Sequence, residues 1–140
     1  MNLKKGDELV GADVVPAAEK SVRQTTRQSS GAGGSFKEGG ESLLLAVTEN
    51  GFGKKTALKE YRVQKRGGSG IKTAKITPKT GNLVAAKVIS GECEELIAIS
   101  KKGQVIRTPL KDISTLSRAT QGVRIMKLAD KDTLASITCL

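Results

Sequence analysis

The sequence predicts an all-β fold built from repeated units. Short apolar runs rich in Val, Ile, Leu and Thr alternate with turns that carry glycine, asparagine or lysine. None of these runs continues for the roughly ten residues that an amphipathic helix needs. The chain also matches itself at one fixed offset, as expected when one structural unit is repeated.

The internal match has an offset of 52 residues and covers three separated patches. Residues 44–48 (LLAVT) fall on residues 96–100 (LIAIS), Thr56-Ala57-Leu58 falls on Thr108-Pro109-Leu110, and Gly70 falls on Gly122. A period near 50 residues is typical of a propeller blade or a solenoid unit. We therefore expect about four short antiparallel strands in each unit.

The individual strands are predicted from these runs in chain order. They are residues 43–48 (LLLAVT), 71–77 (IKTAKIT), 83–89 (LVAAKVI), 95–100 (ELIAIS) and 104–108 (QVIRT). Turn residues such as ENG, PKTGN, SGE and KKG follow them.

Four segments follow from the repeat. Residues 42–90 and 91–140 are predicted to be two complete units, named here the first and the second repeat. Residues 1–15 resemble the end of the second repeat, so we expect the tail of a preceding unit and a chain that is a piece of a larger array. Residues 16–41 are rich in Gly, Ser, Gln and Thr, which predicts a flexible loop; its Lys20, Arg23 and Arg27 could add weak, unspecific contacts to an anionic partner.

Positive charge is concentrated in one part of the chain. The formal net charge is +10, and residues 42–88 carry 10 basic and 2 acidic residues. A solvated surface would usually mix the signs, so this asymmetry favours an anionic partner. Nucleic acid is favoured over a membrane, because no basic amphipathic helix is visible.

Residues 64–70, QKRGGSG, lie inside this basic segment. Cations stand beside glycines that leave backbone N–H groups uncovered, an arrangement that can hold a phosphate backbone. The predicted DNA-binding residues are Gln64, Lys65, Arg66, Gly67, Gly68, Ser69 and Gly70, with Lys54, Lys55, Lys59, Arg62 and Lys72 around them and Arg107 and Arg118 as weaker candidates in the second repeat. The alternative is a glycine-rich turn that only joins strands, with the two arginines serving solubility.

Other chemistry finds little support in the sequence. The chain has no histidine, and neither GGSGIKT nor GFGKKT satisfies the phosphate-loop pattern, so no catalytic or metal site is predicted. Cys93 and Cys139 lie far apart and are expected to be two ordinary thiols. The N-terminus lacks the apolar core of a signal peptide, which predicts a soluble, intracellular protein. Three aromatic residues are too few for single-strand stacking.

Three motifs together resemble the C-terminal domain of the A subunit of bacterial DNA gyrase. They are NGFGKKT at residues 50–56, EYRVQKRGGSG at 60–70 and TQGVRIMKL at 120–128. The resemblance implies a partial β-pinwheel, a propeller-like array of four-stranded antiparallel blades of about 50 residues each. It also implies duplex DNA binding and wrapping, in support of ATP-dependent negative supercoiling by the parent type II topoisomerase.

The same resemblance implies where the chain works. Expected partners are double-stranded DNA and the gyrase B subunit with the rest of the gyrase A subunit, in an A2B2 complex in the cytoplasm, associated with the nucleoid. The chain itself would be non-catalytic and need no cofactor, with ATP and Mg²⁺ used in the parent enzyme. QKRGGSG matches the signature box of the family, QRRGGKG, but Ser69 replaces a lysine and Lys65 an arginine, and its flanks resemble a late blade.

Other interpretations stay open at this point. The motif could decide whether wrapping occurs or could be a secondary contact in a late blade. The domain could belong to the A subunit of topoisomerase IV, or it could be a propeller-type scaffold for protein interactions. An enzyme in its own right would need topoisomerase activity from this polypeptide alone.

Overall fold

The computed structural model describes residues 5–6, 8–13, 15, 42–89 and 93–140. In these ranges the strands are β1 (Leu43–Thr48), β2 (Phe52–Ala57), β3 (Leu83–Ile89), β4 (Glu95–Ser100), β5 (Val105–Pro109), β6 (Val123–Arg124) and β7 (Leu134–Cys139). Single turns of 3-10 helix occupy Leu58–Glu60 and Leu110–Asp112. The loop predicted at residues 16–41 lies outside the described ranges. No helix in the described part could span a membrane.

The strands form two antiparallel sheets. The first has the order β3-β1-β2-β6 and the second has the order β5-β4-β7. Every strand pair within the two sheets is antiparallel. The fold is therefore all-β, as predicted.

The two sheets repeat each other at the offset found in the sequence. β4 begins and ends 52 residues after β1, and the second 3-10 turn follows the first by the same distance. The pairing register shifts between Val47 and Thr48 in the first sheet and between Ile99 and Ser100 in the second. The sequence repeat thus corresponds to a repeat in three dimensions.

The first sheet takes its fourth strand from the second repeat. Phe52 on β2 lies opposite Arg124 on β6. Farther along β2, the N–H of Lys55 donates to the carbonyl of Ser114 at 3.0 Å, and its carbonyl accepts from the N–H of Leu116 at 2.8 Å. The main chain of residues 113–124 therefore lies along the edge of β2 and joins the two repeats.

One apolar core is shared by the two repeats. On β4 the buried side chains Leu96, Ala98 and Ser100 alternate with partly buried ones, which is the period of two expected of a strand with one face in the core. The buried cluster draws on both sheets and consists of Leu45, Val47, Ile89, Leu96, Ala98, Leu110, Ile113, Met126 and Leu134. Burying one such large side chain contributes about 1.5–3 kcal/mol. Because the cluster is continuous, the repeats pack as one body.

Three observed strands, β2, β6 and β7, were not predicted, and one predicted strand is not formed. β2 was not among the predicted runs, because its sequence FGKKTA has few large apolar residues. The strand predicted at residues 71–77 is wrong, since this segment has no regular secondary structure. Its counterpart 52 residues later contains β6, which is a strand because it pairs with β2. Ile71 and Lys72 have no such edge beside them among the described residues.

The prediction of two ordinary thiols is also wrong. Cys93 and Cys139 form a disulfide, with Cα atoms 5.8 Å apart, a normal separation for such a bond. The antiparallel pairing of β4 with β7 places Cys139 opposite Leu96 and so close to Cys93. Their separation of 46 residues in sequence therefore gave no guide to their distance in the fold.

Candidate nucleic-acid interface

The predicted DNA-binding motif lies on a loop that leaves the first sheet after β2. The 3-10 turn Leu58–Glu60 ends β2, and the N–H of Tyr61 donates to the carbonyl of Leu58 at 2.9 Å. From there residues 61–76 continue without a helix or strand. Val63, near the start of this loop, is fully exposed to solvent. Residues 62–70 of this loop are therefore largely open to solvent, whereas Ala74 near its end is buried.

The cations of this loop are accessible. Arg62, Lys65, Arg66 and Lys72 are all exposed, and the structure gives their side chains no carboxylate partner among the described residues. Lys59, just before the loop, is exposed as well. The unpaired cations of the loop, Arg62, Lys65, Arg66 and Lys72, can bind anionic ligands, and their mutual repulsion falls when an anion binds.

The glycines of the motif give the loop its turns. Gly67 and Gly70 have φ angles of 74° and 81°, in the left-handed region that favours glycine. The N–H of Gly68 donates to the carbonyl of Lys65 at 3.3 Å. A Cβ at Gly68 would collide with the side-chain oxygen of Gln64, so that amide lies over the glycine. Ser69 is exposed between Gly68 and Gly70.

Lys54 is placed inside the protein, and its prediction as a DNA contact is revised. Its side chain is 1% exposed. The ammonium group donates to the carbonyls of Ser117 at 2.7 Å and Arg118 at 2.5 Å, and to the hydroxyl of Thr120 at 3.0 Å. Burial lowers the pKa of Lys54, and the charge of Glu60 partly opposes this effect. All three donors of the ammonium are used, so none remains for a phosphate.

Lys55 is also turned toward the protein. Its ammonium donates to the carbonyl of Leu110 at 2.7 Å, at the start of the second 3-10 turn. The side chain is only partly exposed. We therefore assign Lys54 and Lys55 to the junction of the repeats, although the sequence had grouped them with the DNA-binding residues.

The two arginines predicted in the second repeat differ from each other. Arg107 forms an ion pair with Glu95, so its charge is already balanced. Arg118 is partly exposed and lies over the ring of Tyr61, with its guanidinium carbon 5.8 Å from the ring centroid. The backbone N–H of Arg118 also donates to the carboxylate of Glu60 at 3.2 Å. Arg118 therefore adjoins the start of the loop, whereas Arg107 lies on β5 of the other sheet.

The sequence reasoning missed a second group of cations at the junction of the repeats. Lys79 and Arg124 both lie over the ring of Phe52, 5.6 Å and 5.3 Å from its centroid. At the repeat offset of 52 residues, Arg124 is equivalent to Lys72 of the first repeat. This equivalence was a signal in the sequence that could have identified Arg124. The second cation, Lys79, comes close to Phe52 only through the folded path of residues 77–81, and no pattern in the sequence indicates this.

Metal-ligating side chains do not cluster at this surface or elsewhere in the described part. Within those ranges, no group of three or more His, Cys, Asp or Glu side chains is arranged to hold a metal ion.

Comparison with protein families gives a match over most of the chain. The model described as "DNA gyrase C-terminal domain, beta-propeller" matches residues 1–16, 42–90 and 94–140. Curated relatives include the A subunit of DNA gyrase from Staphylococcus epidermidis, 36% identical over 98% of this chain and 18% of the relative. The A subunit of DNA gyrase from Staphylococcus aureus is 39% identical over 98% of this chain and 13% of the relative. The chain thus spans less than a fifth of these relatives.

Solved structures agree on the fold. "Structure of DNA gyrase A C-terminal domain" superimposes with a TM-score of 0.65 and 31% identity, over 70% of this chain and 33% of that one. "Crystal structure of the C-terminal domain of DNA topoisomerase IV" has a TM-score of 0.62 and 24% identity, over 71% and 30%. At that identity the second likeness supports the fold alone. Given the family match and the gyrase A relatives, the chain belongs to the family of DNA gyrase A C-terminal domains, with the β-pinwheel fold.

Proposed function

We propose that this chain binds duplex DNA through residues 61–72 and contributes to wrapping DNA around the C-terminal domain of gyrase A. The observation that supports this most is the loop itself. Arg62, Lys65, Arg66 and Lys72 are exposed and unpaired within the described structure, beside glycines that leave the backbone open. In a gyrase A C-terminal domain, the partner expected for such a loop is a DNA backbone.

The loop should bind by charge more than by sequence. Each phosphate contact releases condensed counterions, and roughly five contacts give a slope near −4 to −5 in a plot of log affinity against log salt. Phe52 is 7% exposed, so its ring offers little surface to an unstacked base. We expect weak sequence preference and a preference for duplex over single strands.

The wider setting follows from the same family. We propose that the parent protein is a gyrase A chain that acts with gyrase B in an A2B2 type II topoisomerase. ATP and Mg²⁺ would serve that enzyme, and this chain would be non-catalytic. The parent would work in the cytoplasm, at the nucleoid. Gyrase is favoured over topoisomerase IV because, among the superimposed structures, the gyrase A C-terminal domain is 31% identical to this chain and the topoisomerase IV domain is 24% identical.

A gel-shift series tests the assignment of the loop. The full chain and a Lys65→Ala/Arg66→Ala variant are titrated against a duplex of about 30 base pairs at salt from about 50 to 200 mM. The variant should bind roughly tenfold more weakly at about 0.1 M salt, and the magnitude of its salt slope should fall by about 2, because two phosphate contacts are lost. A Lys101→Ala/Lys111→Ala variant removes the same charge from exposed positions in the second repeat and serves as the control.

The outcomes separate the candidate functions. Equal affinity of the parent chain and the Lys65→Ala/Arg66→Ala variant would reject the loop as a DNA contact. Binding of the parent chain only at very low salt would favour a protein-interaction scaffold over a DNA-wrapping domain.

A further inference from the structure

Two cations share one aromatic ring at the junction of the repeats. The Nζ atom of Lys79 lies 5.6 Å from the ring centroid of Phe52, and the Cζ atom of Arg124 lies 5.3 Å from it. The ring is 7% exposed, whereas Lys79 and Arg124 are both exposed. The ring attracts each cation, so two like charges are held around one aromatic ring at the surface.

The backbone that carries each cation is held by hydrogen bonds. Arg124 is on β6, directly opposite Phe52 on β2. Lys79 is in a turn closed by the N–H of Gly81, which donates to the carbonyl of Thr77 at 2.9 Å. The side-chain amide of Asn50 donates to the carbonyls of Pro78 at 3.3 Å and Lys79 at 3.1 Å, which fastens this turn beside β2. The pair of charges therefore does not depend on a mobile segment.

Further contacts bring the side chain of Thr80 into this turn. Thr80 is fully buried, and its hydroxyl accepts from the N–H of Thr77 at 2.9 Å and lies 3.1 Å from the Thr77 carbonyl. The turn thus has an internal network of its own, which limits how far Lys79 can move from the ring.

The charge of the pair is not balanced locally. In the part of the chain that the structure describes, neither Lys79 nor Arg124 has a carboxylate within ion-pair distance. They line a cleft of about 480 Å³ whose charged lining also includes two more lysines, Lys127 and Lys131, and two acids, Asp130 and Asp132.

The two acids leave the cleft with a net positive charge. One oxygen of Asp132 accepts from the backbone N–H groups of Lys102 at 3.1 Å and Thr133 at 2.9 Å. The carbonyl of Asp130 accepts from the ammonium of Lys102 at 2.6 Å, which adds a fifth cation near the rim. Four lysine and arginine side chains against two carboxylates give the lining a net charge of +2.

The segment that connects this pair to the predicted DNA-binding loop is itself basic. Residues 71–79 lead from the loop to Lys79 and carry Lys72 and Lys75, both exposed. The N–H of Lys75 donates to the carbonyl of Thr120 at 3.0 Å, so this segment runs beside the chain that leads into β6. Exposed cations thus follow one another from the loop to the junction.

We propose that Lys79 and Arg124 form a second phosphate-binding site, which takes the backbone of the same DNA duplex as it crosses from the first repeat to the second. The inference rests on the proposed function and extends it to residues outside the loop. A phosphodiester fits the site because it is anionic, whereas the buried Phe52 ring leaves no free face for a base. The site lies where both repeats meet, so it fixes the path of the DNA relative to both.

A charge-removing variant with two matched controls tests the site. Lys79→Gln/Arg124→Gln in the full chain is compared with Lys101→Gln/Lys111→Gln, which removes equal charge from exposed positions that do not line the cleft. Lys79→Arg/Arg124→Lys keeps the charge and the contact with the ring. Affinity for a duplex of roughly 30 base pairs is measured at several salt concentrations, and thermal melting checks that each variant folds.

The site variant should lose roughly tenfold in affinity at about 0.1 M salt, with a salt slope smaller in magnitude by about 2. The control should change affinity less than about twofold with an unchanged slope, since only long-range charge is altered. The charge-keeping variant should bind like the parent chain. Equal losses in the site variant and the control would overturn the second site.

Failure of this inference can be told apart from failure of the proposed function. If the parent chain binds duplex DNA and Lys65→Ala/Arg66→Ala weakens it while Lys79→Gln/Arg124→Gln behaves like its control, the loop stands and the junction site is rejected. If the parent chain does not bind duplex DNA at about 0.1 M salt, the proposed function is rejected and the junction site with it.

Discussion

Residues 61–72 of the first repeat and residues 113–124 of the second occupy equivalent positions in the repeat. Their surroundings differ, because the second segment contacts β2 and the first is exposed to solvent. Gly70 and Gly122 have φ angles of 81° and 87°, so the two segments share their local backbone turn. Residues 113–124 lie along β2, held by Lys54 and by the hydroxyl of Thr56, which donates to the carbonyl of Leu116 at 2.8 Å. Residues 61–72 have no strand beside them in the described structure and expose their cations.

The comparison shows how one repeated sequence can serve two purposes. Where a neighbouring strand edge is present, the segment joins repeats, and its backbone carbonyls accept from Lys54. Where no edge lies alongside, the equivalent segment presents its charge to solvent. The composition follows this division, because the exposed copy has QKRGGSG where the docked copy has LSRATQG.

The largest expected effect comes from adding a methyl group to each of the two equivalent glycines. A Cβ at Gly122 would lie 2.7 Å from the carbonyl oxygen of Gly53, whereas nothing lies within 4 Å of one at Gly70. Both substitutions strain a left-handed φ, but Gly122→Ala also pushes the docked segment off β2. We expect Gly122→Ala to cost about 3 kcal/mol and Gly70→Ala about 1 kcal/mol of unfolding free energy, measured by urea denaturation. Equal losses would mean that the docking is loose.

The next effect concerns the contacts that Lys54 makes with the docked segment. Lys54→Met keeps most of the side-chain volume but removes the donor to the carbonyls of Ser117 and Arg118. Unfolding free energy should fall by about 2 kcal/mol, since buried acceptors lose their partner while the cost of burying a charge is relieved. Amide hydrogen exchange at residues 117–120 should accelerate toward the rate of residues 65–68. Lys87→Met, at an exposed position on β3, is the control. Unchanged exchange at 117–120 would show that Lys54 does not hold this segment.

The smallest effect is a pH dependence from the same lysine. Burial lowers the pKa of Lys54 in the folded state below its ordinary value of 10.5. Between the folded and unfolded pKa values the unfolded state binds more protons, so stability rises with pH in the window that ends near 10.5. An NMR titration of the Lys54 side chain should give a pKa below the ordinary lysine value of 10.5. If Lys54 instead titrates at or above 10.5, the burial of its ammonium is contradicted.

The sequence predicted the parts of the fold that have a strong apolar pattern. β1, β3, β4 and most of β5 coincide with Val-, Ile- and Leu-rich runs, and the offset of 52 residues placed one repeat on the other. β2 was missed because Lys54 and Lys55 interrupt its apolar pattern. Residues 71–77 were overpredicted because their pattern suits a strand, but a strand needs a partner edge, and no local pattern reports one.

The site was harder to predict for a related reason. Lys54 and Lys65 are both lysines in a basic stretch. The ammonium of Lys54 donates hydrogen bonds to carbonyls of the second repeat, whereas Lys65 is exposed to solvent. The difference depends on which main chain lies nearby, which is a tertiary property. For the same reason the pairing of Lys79 with Arg124 over Phe52 could not be inferred from residues far apart in sequence.

The exchange of β6 onto β2 also bears on mechanical load. A duplex bent over both repeats would store elastic energy, of order 1–6 kcal/mol for a bend of roughly 40–90°. Because the bent DNA tends to straighten, it would exert a force on the junction of the repeats. The covalent chain that joins β3 to β4 is then not the only link that resists this force. The hydrogen bonds between β2 and residues 113–124 act in parallel with it and share the load, and the Lys54 ammonium ties three acceptor groups at one point. The stiffness of the two repeats therefore comes in part from β6, the strand that the second repeat adds to the first sheet.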